Sequence, residues 1–229
     1  MEERKGSTMS IAENVQAIRR EIGDGVILVA ATKMNDAAAV REAIAAGVDA
    51  CGENRVQELV EKQAQGAYAG APLHFIGHLQ KNKVNKVVGV CDLIQSVDSG
   101  ELLTCIRRRA RQLGVTQDVL IEVNIAREAQ KGGCIPEALP ELLALAAAED
   151  GVRVRGLMAI PPISAQPGAN IPWFRQMREL FVDIGGKKYN NVSMEFLSMG
   201  MTMDYTDAIA QGANMIRVGT AIFGPRAYR

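Results

Sequence analysis

Short apolar runs alternate with longer amphipathic stretches along the whole of this 229-residue chain. A short apolar run predicts a buried strand, and a stretch with apolar residues three or four positions apart predicts a helix that covers it. Repeated alternation of the two is typical of an α/β protein. No linker and no repeat of fixed period interrupts the pattern, so we predict a single domain over residues 1–229.

The pattern predicts a leading helix over residues 11 to 22, followed by eight strands. The predicted strands cover residues 26 to 32, 48 to 52, 73 to 77, 92 to 96, 118 to 124, 152 to 158, 192 to 198 and 214 to 219. A helix-like stretch follows each strand but the last, and several of these stretches end at glycine. Eight strands that alternate with helices predict a (β/α)8 TIM barrel. The main alternative is an open doubly wound sheet, but the first strand-to-helix turn, TKMND, lacks the glycines of a dinucleotide site.

Composition narrows the class of partner. Twenty-six basic residues balance twenty-six acidic ones, so we expect neither a nucleic acid nor a membrane surface as partner. The amino terminus, MEERKGSTMS, is polar, and no apolar stretch is long enough for a bilayer; we therefore predict a cytoplasmic protein. The four cysteines lie far apart in the sequence, which predicts reduced thiols and no disulfide or zinc site. They are Cys51, Cys91, Cys105 and Cys134.

Lys33 ends the first apolar run, VILVAATK. Alternation along the strand places it on the same face as Ile27, Val29 and Ala31, which is the interior face of a barrel. One interpretation is structural: the methylene groups lie on the core and the amine reaches water. The other is chemical, because a desolvated lysine amine with a lowered pKa is suited to form a Schiff base with an aldehyde or ketone.

Two turns rich in small residues follow the last two predicted strands. Ser198 and Met199 begin the first turn, and Gly219 and Thr220 form the second. Barrels of this type hold phosphate at the loops after strands seven and eight, where backbone N–H groups face the ligand. Glycine more often only permits a tight turn, and an arginine in a strand, such as Arg217, is more often exposed or paired. Their combination at these two loops favours an anion site.

Eight motifs in a fixed order give the sequence a specific resemblance. They are AATK, CGENRVQEL, HFIGHLQKNK, IQSVDS, IEVNIAREAQKGG, VRGLMAIPP, FLSMGMTMDYTDAI and IRVGTAIFGPR. Together they resemble the pyridoxal phosphate homeostasis proteins, the YggS-like or PROSC family, from about residue 27 to the end. The family is similar in fold to the amino-terminal barrel of alanine racemase and binds pyridoxal 5'-phosphate. The chain departs from the family chiefly at TKMND, where a proline-containing turn is common, and at NIAREAQKGG.

The resemblance implies a role for each candidate residue. Lys33 would carry the aldehyde of the cofactor as an internal aldimine, and Arg217 would face the pyridine nitrogen. Four residues would hold the phosphate: Ser198, Met199, Gly219 and Thr220. Asn54 would lie near the ring, although an asparagine before a helical run is equally suited to cap that helix.

The histidines and a lysine cluster have less defined roles. His74 and His78 form H-x-x-x-H, a spacing that binds metal on a helix, but the intervening residues indicate a strand and a turn, so we predict no metal site. His78 also matches a position of the family. Lys81, Lys83 and Lys86 are predicted to form a solvated helix face, since no aromatic residues interleave with them as in a nucleic-acid site.

The resemblance, with an arginine at the pyridine nitrogen, implies a cofactor carrier with little or no catalysis. Pyridoxal phosphate acts as an electron sink best when its pyridine nitrogen is protonated, and an arginine partner, being always charged, cannot accept that proton. Alanine racemase compensates with a tyrosine base from a further domain, which we do not expect in a chain that ends at Arg229. We predict a monomer that stores the cofactor and hands it to apo-enzymes that depend on pyridoxal phosphate. The alternatives are a one-base amino-acid racemase and a Schiff-base aldolase that uses Lys33 without cofactor.

Overall fold

Eight parallel strands close into a barrel in the computed structural model, which describes residues 9–164 and 166–224. The strands are β1 Ile27–Ala31, β2 Ala50–Glu53, β3 Leu73–Phe75, β4 Leu93–Val97, β5 Gln117–Glu122, β6 Val152–Met158, β7 Val192–Ser198 and β8 Met215–Val218. Each strand pairs with the next, and β8 pairs with β1. The predicted (β/α)8 barrel is confirmed, and the open doubly wound sheet is excluded. Most of the charged amino terminus and the end of the last motif lie outside the described residues.

Helices form the outer layer of the barrel. They are α1 Ile11–Ile22, α2 Ala37–Ala45, α3 Val56–Ala64, α4 Gly100–Leu113, α5 Leu139–Ala147, α6 Ile171–Gly185, α7 Tyr205–Ala210 and α8 Thr220–Phe223. The leading helix α1 has the predicted bounds because both of its ends are encoded locally. Ser10 and Glu13 form a reciprocal capping box at its start, and Gly23 ends it with a φ of 68°.

The connection after β3 differs from the expected α-helix. A 3-10 helix spans Lys81–Lys86, and Val84 is its one buried residue. Six residues with a single buried apolar side chain cannot present the apolar stripe that an α-helix needs to cover a sheet. Of the three lysines predicted on a solvated helix face, Lys81 and Lys86 are exposed and Lys83 is partly buried, so they lie on a 3-10 helix instead.

Alternation along the strands divides the core into two layers. Inside the barrel, six apolar side chains pack together: Val29, Ala50, Leu93, Leu120, Met158 and Met215. On the outer face of β1, Leu28 and Ala30 pack in the cluster that includes residues of α1. The inward phase of β1 therefore includes Val29 and Ala31. All carboxyl ends of the strands meet at one end of the barrel, which is where such barrels place their chemistry.

The cysteine side chains lie mostly in the core. All four cysteines are free thiols, and Cys51, Cys91 and Cys134 are buried. Burial raises the pKa of Cys51 and of Cys134 to about 12, so these thiols are protonated and unreactive at neutral pH. None of the helices that the structure describes is long and apolar enough to span a membrane.

Candidate functional site

A cavity of about 200 Å³ opens at the carboxyl ends of β1 and β8. It brings together four of the seven predicted site residues: Lys33, Arg217, Gly219 and Thr220. The rest of its wall comes from Ala31 and from the loops after β6 and β7, namely Pro162, Ile163, Ser164, Asn170, Met201, Thr202, Met203 and Asp204. One amine, one guanidinium and one small-residue turn thus share a single pocket.

Lys33 enters this cavity from the end of β1. Its side chain is partly buried, whereas Thr32 beside it is fully buried and points away into the outer layer. The Thr32 N–H donates to the carbonyl of Gly52 at 2.9 Å, which continues the pairing of β1 with β2 up to the residue before Lys33. Strand pairing thus runs to the residue before Lys33, and Lys33 stands in the turn that follows, on the wall of the pocket.

Arg217 is held inside the barrel rather than at an exposed edge. The residue is 4% exposed. Its Nη1 donates to the Ser198 hydroxyl at 2.6 Å, and its Nη2 donates to the carbonyl of Ala159 at 2.9 Å. Burial lowers the pKa of Arg217 to about 10, so the guanidinium stays charged at neutral pH. The cavity therefore has a fixed positive group at its base.

The hydrogen bonds continue from Arg217 across the barrel. The Ser198 hydroxyl donates to Gln95 Oε1 at 2.7 Å, and Gln95 Nε2 lies 2.9 Å from His74 Nδ1. Burial lowers the pKa of His74 to about 4, so its ring is neutral at pH 7 and Nδ1 can accept from the amide. This chain of four side chains fixes the orientation of the guanidinium, since each donor in it has a defined acceptor.

Glu122 is a buried carboxyl on the interior face of β5. It stands two residues after the interior residue Leu120, and both of its oxygens lie 3.7 Å from the position that a Cβ on Gly132 would take. Burial raises the pKa of Glu122 to about 7, and the charge of Asp98 raises it further, while Arg217 opposes the shift. The group therefore changes its charge near neutral pH.

This shift predicts a pH-dependent stability. The ordinary carboxyl pKa is 4.5, so between pH 4.5 and about pH 7 Glu122 is ionised in the unfolded chain but still protonated in the folded chain. The contribution of Glu122 to stability is thus present below 4.5 and lost as the pH rises through about 7. We expect Glu122→Gln to be more stable than the parent by roughly 2 to 3 kcal/mol at about pH 8 and equal to it at about pH 4. Urea unfolding of the cofactor-free protein at both pH values measures this, and a difference independent of pH would contradict it.

The loop after β7 is ordered by Asp204. Its Oδ1 accepts from the N–H of Met201 at 2.8 Å, and its Oδ2 accepts from Nδ2 of the buried Asn170 at 2.7 Å. Gly200 has a φ of 92°, and a Cβ there would lie 2.6 Å from Ala208 Cβ, so only glycine lets the loop pack on α7. Asn170 and Asp204 are not among the site residues predicted from the sequence.

The turn after β8 presents a small, open surface to the cavity. Gly219 precedes the first residue of α8, and the Thr220 hydroxyl lies 3.3 Å from the Thr202 hydroxyl of the neighbouring loop. Thr220 is exposed and Gly219 is partly buried. Hydroxyl groups and backbone N–H groups at such a turn are donors suited to an anion.

Three predicted residues do not line the cavity: Ser198, Met199 and Asn54. Ser198 is fully buried beneath it, where it bonds to Arg217 and Gln95. The N–H of Met199 donates to the carbonyl of Met215 at 3.1 Å, and its side chain packs in the outer core. The assignment of Ser198 and Met199 to a phosphate stays a prediction.

Asn54 follows β2 and is partly buried. The interpretation that it caps α3 is wrong: the capping position is Arg55, and no side chain bonds there. Asn54 Oδ1 is buried and lacks a hydrogen-bond partner among the described residues. A buried acceptor without a donor is rare in native proteins and indicates an unfilled partner.

The two histidines have separate environments. His74 is 6% exposed inside the barrel, whereas the His78 side chain is 68% exposed and lies 3.7 Å from Asp98 Oδ2. Within residues 9–164 and 166–224, no three His, Cys, Asp or Glu residues form a group that could hold a metal ion.

Known proteins share this architecture over nearly the whole chain. Residues 7–227 match the family described as the alanine racemase N-terminal domain. A pyridoxal phosphate homeostasis protein of Aquifex aeolicus is 39% identical over 221 residues, which cover 95% of this chain and 96% of that protein. The protein of the same name from Pseudomonas aeruginosa is 38% identical over 230 residues, covering 96% of this chain and 97% of its own. The chain belongs to the pyridoxal phosphate homeostasis protein family.

Solved structures support this membership. PipY of Synechococcus elongatus, solved with PLP bound, matches this member of the family with a TM-score of 0.82 and 36% identity, over 94% of this chain and 100% of PipY. Alanine racemase of Streptomyces lavendulae matches with a TM-score of 0.74 but 20% identity, over 97% of this chain and 61% of the racemase. The second match shows a shared barrel fold alone, so the racemase alternative is not favoured.

Proposed function

We propose that this protein binds pyridoxal 5'-phosphate, stores it on Lys33 and releases it to apo-enzymes, with little or no catalysis. The observation that carries the proposal is the placement of Lys33, Arg217 and the Gly219–Thr220 turn around one cavity. The relatives bear the name pyridoxal phosphate homeostasis protein, and PipY has been solved with PLP bound.

The residues of the cavity fit the chemistry of this cofactor. Lys33 Nζ, in its neutral form, can condense with an aldehyde and release one water, and the reverse reaction with water or another amine frees the aldehyde. Gly219 and Thr220 offer backbone and hydroxyl donors for a phosphate. The orphaned Oδ1 of Asn54 supports its assignment as a further contact of the ring. We assign Ser198 and Met199 to the phosphate end as part of the loop that follows β7.

Arg217 argues for storage rather than turnover. When bound, pyridoxal phosphate supplies an electron sink, which is strongest with a carboxylate partner at the pyridine nitrogen. Arg217 is fixed by Ser198 and Ala159 and stays charged at neutral pH, so it cannot accept a proton from that nitrogen. A site built around such a partner favours reversible attachment over carbanion chemistry.

Visible absorbance of the purified protein, before and after borohydride reduction, tests attachment. We expect a coloured protein, loss of the colour on reduction and a reduced adduct that peptide mapping places on Lys33. Incubation with a cofactor-free apo-enzyme then tests delivery: activity should return faster than with the same concentration of free cofactor. A protein that stays colourless with excess cofactor, or label on another amine, would refute the proposal.

Gly219→Ala tests the proposed phosphate contact and should disturb the fold little. A Cβ at Gly219 would meet Ala31 at 3.5 Å, which is ordinary contact, and its φ of −118° suits any residue. We therefore expect a melting temperature within about 2 °C of the parent. Because Gly219 and Ala31 both line the cavity, the methyl group should weaken the binding of pyridoxal phosphate about tenfold. The binding of pyridoxal, which has no phosphate, should weaken much less. Equal effects on both compounds would contradict the assignment.

We also propose that the chain acts as a cytoplasmic monomer with one domain over residues 1–229. Burial of the apolar residues in one barrel and its helical layer supports a single cooperative unit. Sedimentation analysis of the full chain tests the monomer, and a single unfolding transition seen alike by fluorescence and circular dichroism tests the single domain.

A further inference from the structure

The backbone on both sides of Lys33 is bound to side chains at the end of β2 and on α3. Glu53 ends β2, and Glu58 and Lys62 lie one turn apart on α3. We propose that these three residues, here named the Lys33 clamp, are positioning residues that set where Lys33 meets a carbonyl ligand. The inference rests on the proposed function and adds to it residues that line no part of the cavity.

The first half of the clamp holds Thr32. Glu53 is fully buried, and its Oε1 accepts from the Thr32 hydroxyl at 2.6 Å and from Lys62 Nζ at 2.5 Å. Lys62 Nζ also donates to the main-chain carbonyl of Thr32 at 2.7 Å. The residue before Lys33 is thus held through both its side chain and its backbone by one buried ion pair.

The second half holds Met34. Its N–H donates to Glu58 Oε2 at 2.6 Å, and the same oxygen lies 3.3 Å from Lys62 Nζ. Met34 has a φ of 62°, a left-handed conformation that is unfavourable for a residue with a long side chain. Such a conformation persists only when surrounding contacts enforce it; here the Glu58 carboxylate accepts from the N–H of Met34 itself, and the N–H of Asn35 donates to the Thr32 carbonyl at 3.1 Å across the same turn.

Lys62 links the two halves and is itself protected from reaction. Its ammonium group has Glu53 Oε1, Glu58 Oε2 and the Thr32 carbonyl as partners, which match its three donors. The residue is 6% exposed. A lysine with all donors used and no access to solvent is a poor nucleophile, so the clamp also leaves Lys33 as the reactive amine of this region.

Glu58→Ala tests the clamp because it removes the acceptor of the Met34 N–H while the buried Glu53–Lys62 pair stays. We expect the affinity for pyridoxal phosphate to fall about tenfold, the scale of one hydrogen bond to a charged group. Binding of pyridoxine 5'-phosphate, an alcohol that cannot condense with an amine, should stay within about twofold. Glu61→Ala, at an exposed position of the same helix, is the matched control and should bind both compounds like the parent.

A second substitution tests the conformation directly. Asparagine tolerates the left-handed region far better than methionine, so Met34→Asn combined with Glu58→Ala should recover most of the lost affinity. The idea is overturned if Glu58→Ala weakens both compounds equally, if it behaves like Glu61→Ala, or if Met34→Asn gives no recovery.

Hydrogen exchange of the cofactor-free protein separates this inference from the proposed function. The amide of Met34 should exchange about tenfold faster in Glu58→Ala than in Glu61→Ala, whether or not the parent binds any cofactor. Unchanged protection would overturn the clamp. A parent protein that forms no adduct at Lys33 would instead refute the proposed function.

Discussion

Replacing Lys33 with alanine is expected to abolish the borohydride-reducible adduct completely. Lys33 is the lysine on the wall of the cavity that also holds Arg217 and the Gly219–Thr220 turn. Covalent attachment requires a primary amine at that place, and alanine supplies none. The proposed phosphate and ring contacts do not involve Lys33, so pyridoxal phosphate should still bind the variant but should leave the protein on gel filtration.

Two variants control this experiment. Lys33→Arg keeps a positive charge without a nucleophile and should lose the adduct as completely as Lys33→Ala, which separates chemistry from charge. Lys62 lies nearby, but its buried ammonium has Glu53 and Glu58 as partners, so it should not replace the missing amine. Pyridoxine 5'-phosphate should bind the parent and Lys33→Ala with similar affinity. A reducible adduct in Lys33→Ala would show that another lysine carries the cofactor.

The barrel was predictable because its signals are local. Leading helix α1 has its predicted bounds because Ser10, Glu13 and Gly23 mark its ends within a few residues of the chain. The eight strands were predicted as apolar runs, with ends that differ by a few residues. The 3-10 helix Lys81–Lys86 escaped prediction because its packing depends on a single apolar residue, Val84.

The hydrogen-bonded chain beneath the cavity was only partly predictable. Ser198 and Arg217 were predicted as site residues, but the roles of Gln95 and His74 beneath the site were not, since all four meet only after the barrel closes. A signal was nevertheless present in the sequence. Four strands carry a polar residue two positions after an interior apolar one: Gln95 after Leu93, Glu122 after Leu120, Ser198 after Phe196 and Arg217 after Met215. Polar residues that follow an inward apolar residue by two positions therefore predict a polar layer above an apolar core.

No comparable pattern in the sequence predicts the buried Glu53–Lys62 pair. Glu53 stands in the motif CGENRVQEL, where a carboxylate before a helix reads as solvent-exposed, and Lys62 lies in a polar segment of α3. Both are buried because β2 ends beneath α3 and the short turn between them brings residues nine positions apart into contact. Pairing of this kind depends on the angle between a strand and a helix, which periodicity does not encode.

Lys62→Met is expected to destabilise the protein by about 3 to 5 kcal/mol. Methionine fills the space of the lysine stem but leaves Glu53 fully buried, with the Thr32 and Tyr68 hydroxyls as its remaining donors among the residues that the structure describes. A buried carboxylate that loses its cation retains the desolvation cost without the attraction that offset it. The melting temperature should fall by roughly 10 °C in a chain of this size.

The exposed pair of Lys187 and Asp183 provides the matched control. It has the same spacing of four residues as Lys62 and Glu58, but its side chains are 48% and 60% exposed. Lys187→Met should change the free energy of unfolding by less than about 1 kcal/mol, because water screens such pairs. Urea unfolding followed by fluorescence of Trp173, the single tryptophan, measures both variants.

A second substitution at Glu53 distinguishes loss of the ion pair from loss of packing. Glu53→Gln removes the unpaired charge that Lys62→Met creates, while its amide oxygen can still accept from the hydroxyls of Thr32 and Tyr68. The double variant should therefore be more stable than Lys62→Met alone, since a buried neutral amide costs less than a buried charge. If the double variant is instead less stable by the sum of the two single effects, the lysine acts through its methylene packing, and the charge of Glu53 does not determine the cost.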